Sequence, residues 1–245
     1  SNMPDRSTHL LMRARIVTSV WCPDSRHPCC WRIRRVIAPP RAASHFQPAP
    51  TASELKCALG IHGGAHENMG LDDLSPYAPV NGLGHPFGQM IAFAGIVFNG
   101  IFDKYPDARI GFLEAGSAWL LTCYERFSIS YKSHVQYDPR KRFFDIHDGQ
   151  SVGEYLPRHI DEDRIFVGVE GDEYMLAAAI KAVGNSPFMF SSDFPHEVNT
   201  EKCLHHLDEI HESDALSDED REAILHTNAE RFYSVQPKNV RAAAE

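Results

Sequence analysis

Four short apolar runs in this sequence each end at, or directly before, a residue that can bind a metal ion or move a proton. These residues are His62, Glu114, Glu170 and Asp193. A buried imidazole or carboxylate without a partner is strongly destabilising, so polar residues at four equivalent positions indicate an active site. Histidine and carboxylate are also the usual ligands of zinc and similar divalent ions, which activate water or polarise a substrate oxygen.

Each of the four residues also has a purely structural explanation, and the sequence leaves both kinds of explanation open. The structural roles are a cap on the following Gly-Gly turn for His62, binding of a helix N-terminus for Glu114 and Glu170, and an Asx turn for Asp193. The choice depends on whether the fold brings the four side chains together.

The runs themselves have the pattern of strands in a parallel sheet. They are continuous rather than alternating, which is typical of strands covered on both faces, and a helical pattern follows each one. The runs are Ala58–His62, Arg109–Leu113, Ile165–Val169 and residues 187–192. Because the carboxyl ends of parallel strands meet at one edge of the sheet, the four closing residues are expected there. The sequence therefore predicts an α/β fold with four β/α units.

Helix boundaries are predicted from proline and from capping residues. Apolar residues keep the helical period over residues 87–105, and Pro86 stands where a helix begins. Asp172 is predicted to be an N-cap. Ser217 followed by Asp220 predicts a capping box for the last helix.

Several motifs occur in an order that resembles the amidohydrolase-related family, which includes the aminocarboxymuconate-semialdehyde decarboxylases and related metal-dependent hydrolases. The motifs are GIHGG at 60–64, HPFGQM at 85–90, GIFDKYP at 100–106, FLEAG at 112–116, SSDFPH at 191–196 and NAERFY at 228–233. The resemblance extends over about residues 55–235. It implies a β/α (TIM-type) barrel of the metal-dependent hydrolase type, represented here by about its last four β/α units.

The resemblance also implies roles for individual residues. His62 and Asp193 would be metal ligands, and Asp193 or Glu114 would transfer a proton. His85 would face the substrate pocket, with Glu170 and His196 completing the substrate-binding set. The implied cofactor is a divalent metal ion, zinc first and manganese as the alternative.

The sequence departs from the family pattern in its first half. The family's first strand supplies an HxH pair of metal ligands, and this chain contains no HxH. Many relatives also have histidine where Glu114 stands. A catalytic zinc usually has three protein ligands, and only two implied ligands, His62 and Asp193, are retained here. Weak or absent metal binding is therefore expected.

Two functions remain open. The first is a metal-dependent hydrolase or decarboxylase that acts on a small carboxylated substrate, aromatic or ring-cleaved. The second is a non-catalytic half-barrel that self-associates as a homodimer, with its open sheet edges covered by a second chain.

Composition limits the partners and the compartment. The net charge of −9 argues against nucleic acid, and no run is long and apolar enough to span a membrane. The six Cys form no disulfide framework, so a cytoplasmic location is expected.

Residues 1–50 differ from the remainder of the chain. They hold eight Arg and no Lys, two Asp and no Glu, seven Pro and no Gly. This segment is expected to be irregular, except for a strand-like stretch at 32–37, and residues 51–245 are expected to form the barrel part. Three interpretations are open: a transit peptide, a basic arm that binds nucleic acid or a membrane surface, and a segment that is not an evolved part of the fold, such as the product of a shifted reading frame or a misplaced start. The third is favoured.

Overall fold

An open six-stranded sheet runs through the computed structural model, which describes residues 15–21, 34–37, 48–63, 69–137, 151–196 and 198–235. Its strands are β1 (Arg15–Trp21), β2 (Arg34–Ile37), β3 (Ala58–His62), β4 (Arg109–Leu113), β5 (Ile165–Val169) and β6 (Phe188–Phe190). Their order in the sheet is β2-β1-β3-β4-β5-β6.

Strands β3 to β6 are parallel neighbours, which confirms the four predicted β/α units. The last strand is shorter than the predicted run over 187–192. In the register of β3 with β4, His62 lies opposite Leu113, the residue before Glu114. The sheet therefore brings two of the predicted site residues to adjacent strand ends.

Helices in the described residues pack around these parallel strands. They are α1 (Pro48–Glu54), α2 (Tyr77–Phe98), α3 (Ile101–Lys104), α4 (Ala118–His134), α5 (Val152–Asp161), α6 (Leu176–Val183), α7 (Thr200–Glu212), α8 (Asp218–Glu222) and α9 (Asn228–Tyr233). A 3-10 turn, Val135–Tyr137, follows α4, and a π-helical turn, Ala223–Thr227, joins α8 to α9.

The parallel strands are buried on both faces, as their continuous apolar pattern predicts. Alternate residues of β3 to β5, such as Ile61 and Phe112, pack in the main core with the helices. The opposite face is covered by Phe232 of α9, which packs against Phe166. At Gly111 a Cβ would come within 2.7 Å of the Phe232 ring, so glycine allows this close packing.

Two predicted helix starts are wrong. Helix α2 begins at Tyr77, and Pro86 lies inside it. A proline inside a helix removes one hydrogen bond, but the residues of α2 that follow Pro86 pack on the sheet and stabilise the helix. Helix α6 begins at Leu176, after an N-cap at Met175, so Asp172 is not a cap.

The helix predicted over residues 87–105 also ends earlier than expected, at Phe98. The predicted capping box is confirmed. Gly100 has a left-handed φ of 62°, which ends α2 and separates it from α3. Ser217 and Asp220 form the predicted capping box at α8.

Two stretches of the N-terminal segment are strands of this sheet. Strand β1 pairs antiparallel with both β2 and β3, and β2 falls within the strand-like stretch at 32–37. Residues 1–14, 22–33 and 38–47 lie outside the described residues. The division of the chain at residue 50 and the three interpretations of the segment stay predictions.

No helix in the described ranges combines the length and the apolar character that crossing a bilayer requires.

A buried glutamine joins α2 to the two central strands. Gln89 is fully buried, and its Nε2 donates to the carbonyl of Ile61 at 2.9 Å and to that of Leu113 at 2.6 Å. These carbonyls lie at the carboxyl ends of β3 and β4. Gln89 therefore holds the helix over the edge of the sheet where His62 and Glu114 stand.

We predict that Gln89→Met lowers the free energy of unfolding by about 2 kcal/mol, because methionine keeps the shape but leaves two buried carbonyls without their donor. Urea denaturation measures the change. The matched control is Gln136→Met, because Gln136 is exposed and its amide reaches Ser133 only at 3.4 Å. The control is expected to stay within about 0.5 kcal/mol of wild type, and equal effects of the two substitutions would contradict the prediction.

Candidate metal site at the carboxyl edge of the sheet

Three side chains predicted from the sequence converge at the ends of β3 and β4. The Nε2 atom of His62 lies 2.6 Å from Oε2 of Glu114, and Nδ1 of His85 lies 3.9 Å from the same oxygen. The two imidazole rings meet edge to face at 5.6 Å between centroids. One ligand atom from each of the three residues lies within 4.8 Å of the others.

The local backbone explains how His85 reaches this place from a helix. His85 stands one turn before Gln89 in α2, so the hydrogen bonds of Gln89 to the strand ends also position His85. Gly63 follows His62 and lies against the backbone of His85. A Cβ at Gly63 would come within 2.9 Å of the His85 Cα, so a side chain there would push α2 away.

Two carboxylates at this edge are held by left-handed backbone. Of the five non-glycine residues with positive φ in the described part of the chain, two are Glu114 (58°) and Asp193 (56°). This conformation costs a residue with a side chain about 1–3 kcal/mol, and it persists where the surroundings impose it, often at functional sites. It changes the direction of the backbone at each of these two residues, beyond the end of the strand.

The tautomer of His62 follows from its second contact. Its Nδ1 lies 2.5 Å from the carbonyl oxygen of Gly63, so Nδ1 carries the proton and donates it. Nε2 then faces Glu114: it donates a hydrogen bond to this carboxylate when it carries a second proton, and it can bind a metal ion when it does not. A histidine fixed in this way by a backbone carbonyl is the usual arrangement of a metal-binding imidazole.

The charges in the cluster are strongly coupled. The hydrogen bond with Glu114 raises the pKa of His62 above its ordinary value, and the same bond lowers the pKa of Glu114. Burial lowers the pKa of His85, and the charge of His62 lowers it further. His85 therefore favours the neutral form that can bind a metal ion.

Asp193 and His196 lie beside this cluster. Oδ1 of Asp193 is 3.5 Å from Nδ1 of His196, an exposed residue. Burial raises the pKa of Asp193, and the neighbouring carboxylate of Glu114 raises it further. Asp193 thus belongs to the same edge as His62 but is not one of the three side chains whose ligand atoms lie within 4.8 Å.

The residues present fit a divalent cation. Two imidazoles and a carboxylate form a donor set that zinc and similar ions prefer. The Nδ1 atom of His85 is shielded from solvent and has no hydrogen-bond partner among the described residues. Such an atom is unfavourable unless a ligand compensates it. The sequence-based ligand pair, His62 and Asp193, and the roles of the other site residues stay predictions.

From the sequence, His85 is predicted to face a substrate pocket and not to be a metal ligand. A usable signal was present: His85, Gln89 and Phe93 are spaced four residues apart, so polar groups interrupt a helix face that packs on the core. Glu170, by contrast, lies apart from His62, in a group with Asp172 and His206.

Glu173 is a further residue of this edge that the sequence does not predict. Its carboxylate accepts hydrogen bonds from the backbone N–H of Ser117 at 2.7 Å and of Glu170 at 2.8 Å. It therefore joins the loops that follow β4 and β5. Burial raises the pKa of Glu173. No local pattern pointed to this residue, because one of its partners is 56 residues away.

The fold resembles three solved enzymes at low sequence identity. A 5-carboxyvanillate decarboxylase from Sphingomonas paucimobilis is 14% identical with a TM-score of 0.60, over 78% of this chain and 53% of that one. The manganese complex of a 5-carboxyvanillate decarboxylase from Novosphingobium aromaticivorans is 18% identical with a TM-score of 0.56, over 78% and 52%. A 2,6-dihydroxybenzoate decarboxylase from Rhizobium is 19% identical with a TM-score of 0.55, over 77% and 55%.

These likenesses establish the β/α barrel type of fold, of which this chain has four parallel units. The chain spans about half the length of each of these structures. A search of curated proteins gives no match. Residues 39–235 match the family model described as Amidohydrolase. The chain therefore belongs to the amidohydrolase family.

Proposed function

We propose that this chain carries a metal-dependent active site of a hydrolase or decarboxylase that acts on a small carboxylated substrate. The observation that carries the proposal is the convergence of His62, His85 and Glu114 at the carboxyl edge of the sheet. The names of two relatives support the substrate class, because both are decarboxylases of aromatic carboxylates. An aromatic or ring-cleaved acid is therefore the preferred candidate.

The metal would be held by His62, His85 and Glu114, with Asp193 next to them. Three protein donors equal the usual number at a catalytic zinc, which supports binding despite the absence of an HxH pair. When bound, a divalent ion would supply Lewis-acid chemistry, polarising an oxygen of the substrate or lowering the pKa of water. Nitrogen donors favour zinc, while the manganese complex of a relative supports manganese as the alternative.

The chain's own residues would hold and move protons. The raised pKa of Asp193 means that this carboxyl takes up a proton more readily than an ordinary aspartate, which supports a role in proton transfer. Glu114 has a lowered pKa and stays ionised, which suits a ligand. His196 is exposed beside Asp193, which supports a role in binding a carboxylate of the substrate.

We predict that His85→Ala weakens the binding of one Zn²⁺ ion by at least about tenfold, the effect of losing even an outer-shell contact. Isothermal titration of the metal-free protein with Zn²⁺ measures it. His205→Ala is the matched control, because His205 is an exposed helical histidine outside the cluster. Wild-type binding in the His85→Ala variant would contradict the metal site.

We predict that His62 of the metal-free protein titrates above an ordinary histidine, and that Glu114→Gln lowers its pKa. Glu114 supplies the largest effect that raises this pKa, and burial, which lowers it, remains once the carboxylate is gone. NMR titration of the histidine ring protons measures both values. Glu125→Gln, a charge change at an exposed position, should leave the His62 titration unchanged.

The His62–Glu114 pair also predicts how stability depends on pH. The raised pKa of His62 gives its full stabilisation at pH values below the pKa of this histidine in the unfolded chain. This contribution is lost as the pH rises through the pKa of His62 in the folded protein. The lowered pKa of Glu114 contributes above its unfolded pKa, and that part is lost as the pH falls through the folded value. Glu114→Gln should therefore destabilise the metal-free protein most at mildly acidic pH, and a pH-independent effect in thermal unfolding would contradict this.

Self-association is the second candidate function, and the open sheet supports it. Strand β6 pairs only with β5 among the described residues, so one of its edges is left without a strand partner. A second copy of this chain could cover that edge and form a homodimer. Size-exclusion chromatography of the full chain with light-scattering detection tests this. A monomer at every protein concentration would contradict it. The cytoplasmic location and the absence of a nucleic-acid partner stay predictions.

A further inference from the structure

A second group of potential ligands lies at the same edge of the sheet and is not used by the proposed function. Glu170 and Asp172 belong to the loop after β5, and His206 belongs to α7. One ligand atom from each lies within 4.8 Å of the others. We call these three residues the Glu170 cluster, which shares no residue with the group of His62, His85 and Glu114.

The loop and the helix that carry the Glu170 cluster are in direct contact. A Cβ at Gly171 would come within 2.5 Å of the His206 Cα, so the loop backbone rests on the backbone of α7. The two acidic residues flank this contact on either side. Main-chain packing therefore keeps the backbones of Glu170 and Asp172 close to His206.

His206 is a buried histidine with an unused nitrogen. The residue is 2% exposed, and its Nδ1 is shielded from solvent without a hydrogen-bond partner among the described residues. Ile210, one turn later, is also buried, so this face of α7 points inward. An apolar side chain would avoid an unpaired polar atom there, and a bound ligand would compensate it.

The charge of the Glu170 cluster is also uncompensated. In the part of the chain that the structure describes, no Lys or Arg forms an ion pair with Glu170 or Asp172. Burial raises the pKa of Glu170, and the charge of Asp172 raises it further. A cation between the carboxylates would remove this repulsion.

We propose that Glu170, Asp172 and His206 bind a divalent transition-metal ion, zinc or manganese, as a second metal site. A donor set of one imidazole and two carboxylates suits these ions, whereas Mg²⁺ and Ca²⁺ prefer oxygen donors alone. The ion would join the loop after β5 to α7.

The first experiment titrates the metal-free full chain with Zn²⁺ by calorimetry, in a His85→Ala background that weakens the other site. Asp172→Asn in this background is expected to weaken the remaining Zn²⁺ binding at least tenfold. Asp172 is exposed, so the fold should survive, which circular dichroism verifies. Asp208→Asn removes the same charge from an exposed position of α7 and should leave binding unchanged.

His206→Gln provides the second variant, with His205→Gln as its matched control on the same helix. Zn²⁺ should raise the melting temperature of the His85→Ala protein, and His206→Gln should abolish that shift while His205→Gln preserves it. If Asp172→Asn and His206→Gln both retain the binding of their background, the second site is wrong. A different result would contradict the proposed function, namely that the His85→Ala protein binds Zn²⁺ as the wild-type chain does.

Discussion

The two hydrogen bonds donated by Gln89 are the contact on which the site depends. Parallel strands end with carbonyl groups that need donors, and at Ile61 and Leu113 one buried amide supplies them. The donor comes from α2, so satisfying the strand ends also sets the height of the helix above the sheet. His85, one turn earlier, is brought over His62 and Glu114 as a consequence.

Local strain and burial act together at this edge. Glu114 and Asp193 keep a left-handed backbone that a glycine would adopt more easily. Their carboxylates are crowded enough to raise the pKa of Asp193, while the imidazole of His62 stabilises the charge of Glu114. A protein selected only for stability would relieve both effects, so their coexistence is typical of a site that binds something.

The strands and the edge at which their chemistry gathers could be predicted from the sequence, because both follow from local patterns. Continuous apolar runs indicate buried parallel strands, and the residue after each run then has a known position in the sheet. This reasoning placed His62 and Glu114 correctly at neighbouring ends, as the register of β3 with β4 shows.

What could not be predicted depends on contacts between distant residues. The proximity of Glu170 to His206 depends on the contact of a loop with a helix face, and neither residue carries a sequence signal of the other. Helix α2 begins at Tyr77, well before Pro86, although a proline is unfavourable inside a helix, and no local pattern indicates this start. Strand β1 arises from a segment whose composition alone indicates irregular structure.

Glycines next to the strand ends decide where the histidines of both groups lie. Gly63 touches the backbone of His85, and Gly171 touches the backbone of His206, each in a loop that directly follows a parallel strand. In both places a helix approaches because a side chain is missing. The spacing between donors is therefore encoded in residues that donate nothing, and one added methyl group could separate a ligand set while every ligand remained in the sequence.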